Sequence, residues 1–230
     1  MTYSVHVALW SVFMRIITGR FKRRKLLANP GLITRPISDR VKETLFQRLG
    51  DLGLLAGRRI ADVFAGTGTI GLEALSRGGQ SVVFFELDRI AFDLLKKNVA
   101  TLGVEDECVW WQTDILRTSF RPKGAKSDFA PYSLVFFDPP YKMAPDLKAG
   151  TRLNASLERL GKDTVTTPDV VMVVRVPDRT SPTFPAPWVV DWTLKTSHMD
   201  LHICRKAAAG EVVQPAASIT VDDDGSVADE

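Results

Sequence analysis

The segment Asp62-Val-Phe-Ala-Gly-Thr-Gly-Thr-Ile-Gly71 sets the architecture of the chain, because it joins an apolar strand to a helix through a turn with three glycines. Glycine is needed where a turn adopts positive φ or where a ligand comes close to the backbone. The spacing Gly66-x-Gly68-x-x-Gly71 matches the dinucleotide fingerprint formally. However, Asp62 stands where it would repel a diphosphate, so the turn indicates a pocket for a cationic ligand instead.

Strands and helices alternate on both sides of this turn. The pattern predicts a helix over 39–49, with Ser38 as its N-cap, before the first strand. We expect strands at 59–64, 81–86, 108–112, 133–137, 170–176, 188–194 and 201–205, and helices at 70–77, 89–102 and 147–160. This alternation is typical of an α/β fold with a Rossmann-like, mostly parallel sheet, here closed by a C-terminal antiparallel hairpin.

Acidic residues follow the next two strands, at the edge where α/β sheets bind ligands. Glu86 ends a strand about 20 residues beyond the glycines, where a carboxylate can accept hydrogen bonds from ribose hydroxyls. Asp114 follows the next strand and can accept a hydrogen bond from an adenine amine. Solvated loop acids would explain any one of these residues, but the set fits S-adenosylmethionine (SAM), whose sulfonium and amino group are positive. The predicted cofactor residues are Asp62, Phe64, Gly66, Gly68, Glu86 and Asp114.

A second motif, Leu134-Val-Phe-Phe-Asp-Pro-Pro-Tyr141, sets a carboxylate, two prolines and an aromatic ring at the end of another apolar strand. Proline fixes φ and cannot donate in a sheet, so the strand should stop at Asp138, on the carboxyl edge of the sheet. We expect Asp138 and Tyr141 to face a pocket for a flat ring that bears an amine. A plain strand with a proline turn is the alternative for this motif alone, and the upstream glycine turn argues against it.

Charge is distributed unevenly, although the formal net charge is only +3. Residues 14–48 hold ten Lys or Arg against two acids, whereas residues 211–230 hold six acids and no base. A basic arm suggests a polyanionic partner, and a solvated face explains it equally well from charge alone. The residues predicted to contact nucleic acid are Arg20, Lys22, Arg23, Arg24, Lys25, Arg35 and Arg40.

The sequence predicts four segments: a flexible extension (1–13), a basic N-terminal hairpin and loop (14–36), a main domain (37–206) and a disordered acidic tail (207–230). No apolar run approaches the ~20 residues needed to span a bilayer. Residues 1–13 lack the basic start and cleavage site of a signal peptide. Cys108 and Cys204 lie in apolar runs without metal-ligand spacing. We therefore expect reduced core cysteines, no metal, no membrane partner and a cytoplasmic monomer.

These motifs resemble those of class I SAM-dependent methyltransferases, and specifically the bacterial ribosomal RNA small-subunit methyltransferase D family. The resemblance covers roughly residues 14–206 and is carried by 14–20 (MRIITGR), 35–46 (RPISDRVKETLF), 62–78 (DVFAGTGTIGLEALSRG) and 138–141 (DPPY). The chain departs from the family pattern at Arg175, where an acid is usual, and at Ser197-His198, where a Tyr-Gly-like pair is usual. The resemblance implies methylation of a guanine N2 amine of 16S rRNA, either in free rRNA or in an assembling small subunit.

An exocyclic amine is a poor nucleophile, because its lone pair is delocalised into the ring. We expect the Asp138 carboxylate and the Pro139 carbonyl to accept the two amine hydrogens, and Tyr141 to stack on the base. The same Asp-Pro-Pro-Tyr motif also suits the methylation of adenine amines, so a DNA adenine-N6 methyltransferase is the alternative activity. An RNA-binding assembly factor with an idle SAM fold is a further alternative, against which the intact glycines and Asp138 argue.

Overall fold

The computed structural model describes residues 14–29, 37–208, 210–212, 216–221 and 227–229. Within these ranges the strands are β1 (Met14–Arg15), β2 (Lys25–Leu26), β3 (Arg59–Val63), β4 (Ser81–Glu86), β5 (Cys108–Gln112), β6 (Tyr132–Phe137), β7 (Thr166–Pro177), β8 (Trp188–Lys195), β9 (Met199–Lys206), β10 (Ala217–Val221) and β11 (Val227–Asp229). The α-helices are α1 (Asp39–Asp51), α2 (Thr69–Ser76), α3 (Arg89–Leu102) and α4 (Arg152–Leu160). The predictions for residues 1–13 and for Arg35 lie outside the described residues.

The main sheet has nine strands in the order β11-β10-β8-β9-β7-β6-β3-β4-β5. The strands from β7 to β5 in this order are parallel to their neighbours, whereas β9 runs antiparallel to β7 and β8. The chain moves from β3 outward to β5 and then returns to β6 on the other side of β3, so the strand order reverses between β3 and β6. Such a reversal leaves a crevice at the carboxyl ends of the strands. The predicted α/β fold is confirmed.

Helices cover both faces of this sheet. One face packs against α1, α2 and α3 through an apolar core that includes Phe46, Leu72 and Leu95. The other face packs against α4 through Leu153 and Leu157. Central strands such as β4 are buried over their first five residues, because a parallel sheet is covered on both sides. The two layers hold the carboxyl ends of β3 and β6 in place.

The small hairpin formed by β1 and β2 is anchored to the main fold by a buried carboxylate. Glu73 on α2 is fully buried and accepts hydrogen bonds from the backbone N–H groups of Ile17 at 2.8 Å and Thr18 at 3.1 Å. Arg77 donates to Glu73 at 2.7 Å, and the Lys42 Nζ atom lies 3.6 Å from the same carboxylate. The predicted hairpin is present, and it is held against α1 and α2 by this cluster.

Helix α4 begins later than the sequence predicts. The expected helix over 147–160 starts only at Arg152, because residues 148–150 form a turn in which Gly150 has a left-handed backbone, φ +83°. Thr151 then caps α4 by accepting a hydrogen bond from the Asn154 N–H at 3.1 Å. The other predicted helices and strands begin and end within about two residues of the observed elements, which is the ordinary uncertainty of element ends. The exception is β7, which begins at Thr166 and not at the expected residue 170.

The tail also differs from expectation. Strand β10 pairs in parallel with β8, so the expectation of a disordered tail from residue 207 does not hold for 217–221. Val221 is buried in the core and Ile219 packs against it. A short apolar alternation at the edge of an existing sheet is stabilised by that sheet, and this tertiary effect is not visible in the local sequence.

Candidate active site

The glycine turn and the Asp-Pro-Pro-Tyr motif meet at the crevice between β3 and β6. Asp138, the residue after β6, donates its backbone N–H to the Val63 carbonyl at 3.2 Å. Val63 is the last residue of β3, and the glycine turn follows it directly. The two motifs that the sequence singled out therefore lie side by side at the carboxyl edge of the sheet.

The glycine turn leaves no room for side chains at Gly68 and Gly71. Gly68 caps α2 with a left-handed backbone, φ +81°, and a Cβ at this position would lie 2.3 Å from Leu95 Cδ1. A Cβ at Gly71 would lie 2.6 Å from Phe84 Cε1. The turn is thus packed closely against α3 and β4, which is why both positions require glycine.

Phe64 forms a wall of the crevice. Its backbone is left-handed, with φ +63°, and its ring meets the Phe137 ring edge-on, with centroids 5.4 Å apart. For a bulky residue this conformation costs about 1–3 kcal/mol, and it persists where the surrounding structure enforces it, often at functional sites.

Asp62 lies beneath the turn and is only 2% exposed. Its Oδ2 accepts a hydrogen bond from the Gly71 N–H at 2.9 Å. Burial raises the pKa of Asp62 to about 8, and the nearby carboxylates of Asp138 and Glu86 add to the effect. The raised pKa favours the protonated carboxyl, whose oxygen holds the turn. That Asp62 meets a cationic ligand stays a prediction.

Glu86 fixes the other side of the crevice. Its Oε2 accepts a hydrogen bond from the Gly66 N–H at 2.7 Å, and its Oε1 accepts from the N–H groups of Leu87 at 2.8 Å and Asp88 at 2.7 Å. A carboxylate has about four lone-pair positions, so acceptor capacity for a ligand hydroxyl remains. Asp88 caps α3, accepting from the Ala91 N–H at 2.8 Å.

Asp114 occupies the turn after β5. Its Oδ1 accepts a hydrogen bond from the Leu116 N–H at 2.9 Å, and the residue is half-buried. The Asp114 side chain is thereby held in one orientation at the same edge of the sheet as Glu86, since both follow neighbouring parallel strands.

Asp138 is engaged by an arginine from the adjacent strand. The Arg175 Nε atom, on β7, donates to Asp138 Oδ1 at 2.6 Å. The Arg175 guanidinium carbon also lies 5.7 Å from the centre of the Tyr141 ring. Burial raises the pKa of Asp138, and the charge and hydrogen bond of Arg175 oppose that rise. Three side chains, two of them predicted, therefore form one cluster at the end of β6 and β7.

From the sequence, Arg175 was identified only as a departure from the family pattern. A signal for its role was present, because an arginine inside the apolar run Val170–Val176 needs a carboxylate partner to be buried. Lys42 and Glu73 also lie in the motifs 35–46 and 62–78, but the sequence predicted no role for them. The cluster that they form explains why those motifs contain charged residues.

The predicted nucleic-acid contacts are spread along the molecule. Arg20 contacts Glu107, which precedes β5 and so lies at the amino edge of the sheet, away from Asp138. Arg40 is exposed in the first turn of α1. Lys22, Arg23, Arg24 and Lys25 are exposed on the hairpin.

In the described part of the chain, no group of three or more His, Cys, Asp or Glu side chains is placed to hold a metal ion. Cys108 and Cys204 are free and buried. No helix within the described ranges is long and apolar enough to cross a membrane.

The sheet order, the glycine turn and the acids at successive strand ends define a class I SAM-dependent methyltransferase. A family model described as "Conserved hypothetical protein 95" matches residues 14–200, which is more than half of the chain. The chain belongs to this family, and the resemblance to the small-subunit methyltransferase D family is confirmed by the curated relatives.

Two curated relatives and one solved structure illustrate this similarity. The ribosomal RNA small subunit methyltransferase D of Haemophilus influenzae is 40% identical over 131 residues, covering 56% of this chain and 64% of that protein. The protein of the same name from Escherichia coli K12 is 38% identical over 131 residues, covering 56% and 61%. The alignments thus span less than two thirds of these relatives. A solved structure described as "Putative methyltransferase yhhF from Escherichia coli" has a TM-score of 0.69 and 29% identity, covering 85% of this chain and 99% of that one.

Proposed function

We propose that this protein transfers the methyl group of SAM to the exocyclic N2 amine of a guanine in small-subunit (16S) rRNA. The observation that carries the proposal is the position of Asp138, Pro139 and Tyr141 beside the glycine turn at the end of β3. The names of the curated relatives support rRNA as the substrate. The choice of guanine N2 rests on the family resemblance of the motifs.

In the proposed mechanism, the chain must localise the lone pair of the amine. The Asp138 carboxylate and the Pro139 carbonyl accept the two amine hydrogens, which turns the lone pair toward the donor methyl group. When bound, SAM would supply the methyl group from its sulfonium, with its C–S bond breaking as the new N–C bond forms and a neutral thioether left behind. Asp138 stabilises the positive nitrogen in the transition state and accepts its proton.

We place the donor in the crevice between β3 and β6. Glu86 would receive the ribose hydroxyls with its remaining lone pairs, and Asp114 would receive the adenine amine. The backbone of Gly66 and Gly68 would line the pocket, together with Phe64. Asp62 would support the turn from beneath, because its carboxyl is buried.

The RNA partner would be held mainly through its phosphates. Stacking on Tyr141 is worth about 1–3 kcal/mol, which is comparable with the few kcal/mol needed to extrude a base, so affinity must come from cations. The exposed residues Lys22, Arg23, Arg24, Lys25 and Arg40, and also Arg20 and Arg35, are the proposed contacts. We place the reaction in the cytoplasm, on 16S rRNA or an assembling small subunit, with a monomeric enzyme.

The test is methyl transfer from labelled SAM to small-subunit rRNA and to small subunits from cells that lack the gene. Mass spectrometry of the nucleosides should then show N2-methylguanine. Asp138→Ala should lower the rate by about 10²-fold or more, since it removes the acceptor and base, while calorimetry shows SAM still bound. Asp169→Ala is the matched control, because Asp169 is exposed and pairs with Arg58 at the opposite edge of the sheet.

Each outcome of this test is informative. Normal transfer by Asp138→Ala would refute the mechanism. Methylation of adenine in duplex DNA instead of rRNA would favour the DNA methyltransferase. Binding of SAM and RNA by the wild type with no transfer to any nucleic acid would favour an assembly factor.

A further inference from the structure

Arg175 and Asp138 form a pair that is largely withdrawn from solvent. Their side chains are 11% and 18% exposed, and the Nε–Oδ1 distance is 2.6 Å. Burying an arginine and a carboxylate is costly unless their geometry is good, and removing one partner leaves an uncompensated charge. A pair of this kind at the proposed reacting carboxylate therefore influences both the orientation and the charge of that carboxylate.

The contact engages only one oxygen of the carboxylate. Arg175 binds Oδ1, and among the described residues no hydrogen-bond donor contacts Oδ2 of Asp138. Since the two oxygens are fixed relative to each other, anchoring Oδ1 also fixes the direction of Oδ2. The Arg175 guanidinium lies near the Tyr141 ring, with its central carbon 5.7 Å from the ring centre, so the anchor and the proposed stacking surface are adjacent.

We propose that Arg175 is a positioning residue for the methyl transfer, which keeps Asp138 ionised and directs its Oδ2 toward the amine of the target base. This inference rests on the proposed function. Arg175 acts through Asp138 and does not itself react.

The surroundings of Asp138 explain why a neighbouring cation is needed to keep its carboxylate charged. In the described part of the chain, the ionisable groups that face it are Arg175 from β7, Asp62 from the end of β3 and Tyr141 from the following turn. Burial disfavours the charged carboxylate, and Arg175 is the cation that opposes this effect. Without it, the pKa of Asp138 rises further above its ordinary value.

The experiment compares the pH dependence of kcat/KM for the wild type, Arg175→Met and Arg175→Lys. If the carboxylate is the active form, kcat/KM rises with pH through the pKa of Asp138. In Arg175→Met this acid limb should move to higher pH by at least about one unit, so that the loss grows toward about tenfold at pH values below both limbs and is smallest at pH values above them. Arg175→Lys keeps the charge and should leave the acid limb close to that of the wild type, with a lower kcat.

Arg58→Met is the control for a lost arginine–aspartate pair, because Arg58 pairs with Asp169 at the opposite edge of the sheet. Its acid limb should coincide with that of the wild type. An acid limb at the same pH in the wild type and in Arg175→Met overturns the proposal, even if the rate has fallen. Circular dichroism and SAM affinity report whether each variant is folded.

A second measurement does not depend on methyl transfer. With ¹³C-labelled aspartate, the carboxyl resonance that disappears in Asp138→Asn belongs to Asp138, and its titration can be followed by NMR in the full-length protein. A higher titration midpoint in Arg175→Met supports the proposal, and an unchanged midpoint overturns it. If the wild type methylates no rRNA, the proposed function fails, whereas this titration still decides whether Arg175 controls the charge of Asp138.

Discussion

Asp62 shows how one buried acid can shape a site without supplying charge. Its pKa is raised to about 8, first by burial and then by Asp138 and Glu86. The protonated side chain still offers an oxygen to the Gly71 N–H at 2.9 Å. The glycine turn therefore depends on an acceptor at position 62, and it does not depend on a negative charge there.

Asp62→Asn should consequently keep SAM affinity within about threefold, since the amide oxygen can still accept the Gly71 N–H. Asp62→Ala should weaken SAM binding strongly, because a buried N–H without a partner costs about 1–3 kcal/mol. Isothermal titration calorimetry of the two variants distinguishes these cases. A large loss of affinity in Asp62→Asn would show that the charged form matters.

The same residue predicts a pH dependence of stability. The folded pKa of Asp62, about 8, lies above its ordinary value of 3.8, so the folded state binds more protons between these limits. The contribution of Asp62 to the free energy of unfolding is thus fully present below about pH 4 and falls as the pH rises to about 8. Urea denaturation at several pH values should show a smaller decline in Asp62→Asn than in the wild type. Equal declines would contradict the assignment.

At the scale of elements, the hairpin depends on the cluster around Glu73. This carboxylate accepts two hairpin N–H groups and is balanced by Lys42 and Arg77. Burial lowers the pKa of Lys42, and Glu73 opposes that shift. Since neither Lys42 nor Glu73 reaches solvent, each needs the other in the folded state.

Glu73→Ala should therefore destabilise the protein by about 3–5 kcal/mol, because it leaves two buried cations without their carboxylate. The double variant Lys42→Met with Glu73→Met should cost less than the sum of its single changes. Urea denaturation gives these free energies, and hydrogen exchange at Ile17 and Thr18 reports whether the hairpin has detached. Additive losses in the double variant would show that the two residues do not interact.

The elements also show what the sequence can predict. Apolar periodicity located β4, α3 and β5 to the residue, because their ends are marked by strand-end acids, the Asp88 cap and Gly103. It misplaced the start of α4 and could not locate β10, since β10 is stabilised by pairing with the edge of β8. Asp138 was found from its motif, whereas its partner Arg175 lies on another strand and required the fold. The buried state of Asp62 was likewise invisible in the sequence.

At the scale of the whole molecule, exposed basic residues lie along the hairpin. The hairpin runs from α3, where the Leu27 N–H donates to Asn98 at 2.7 Å, to the last turn of α2, where Arg20 donates its backbone N–H to Ser76 at 2.9 Å. Under the proposed function, RNA phosphates would bind these cations, and the end that carries Arg20 lies at the amino edge of the sheet.

Replacing Lys22, Arg23 and Arg24 together by Ala should weaken RNA binding and make it less sensitive to salt. If each contacts one phosphate, the slope of log K against log salt should become shallower by about 2, since each lost contact contributes ~0.7–0.9. Fluorescence anisotropy at several KCl concentrations measures the slope. Arg58→Ala is the control for the loss of a cation outside the hairpin, and an unchanged slope in the triple variant would exclude these residues from the RNA interface.

Strand β10 also affects how readily the protein associates with other chains. Residues 217–220 of β10 pair with 192–195 of β8. They therefore occupy backbone N–H and C=O groups that an unpaired edge strand would leave open to pairing with another chain. Three aspartates, 222–224, follow β10 in the sequence, and like charges repel a second copy. Truncation after Lys206 should leave a catalytic core that self-associates with rising concentration in light scattering, whereas the full chain stays dispersed. We therefore expect the acidic end of the chain to limit self-association through the edge of β8.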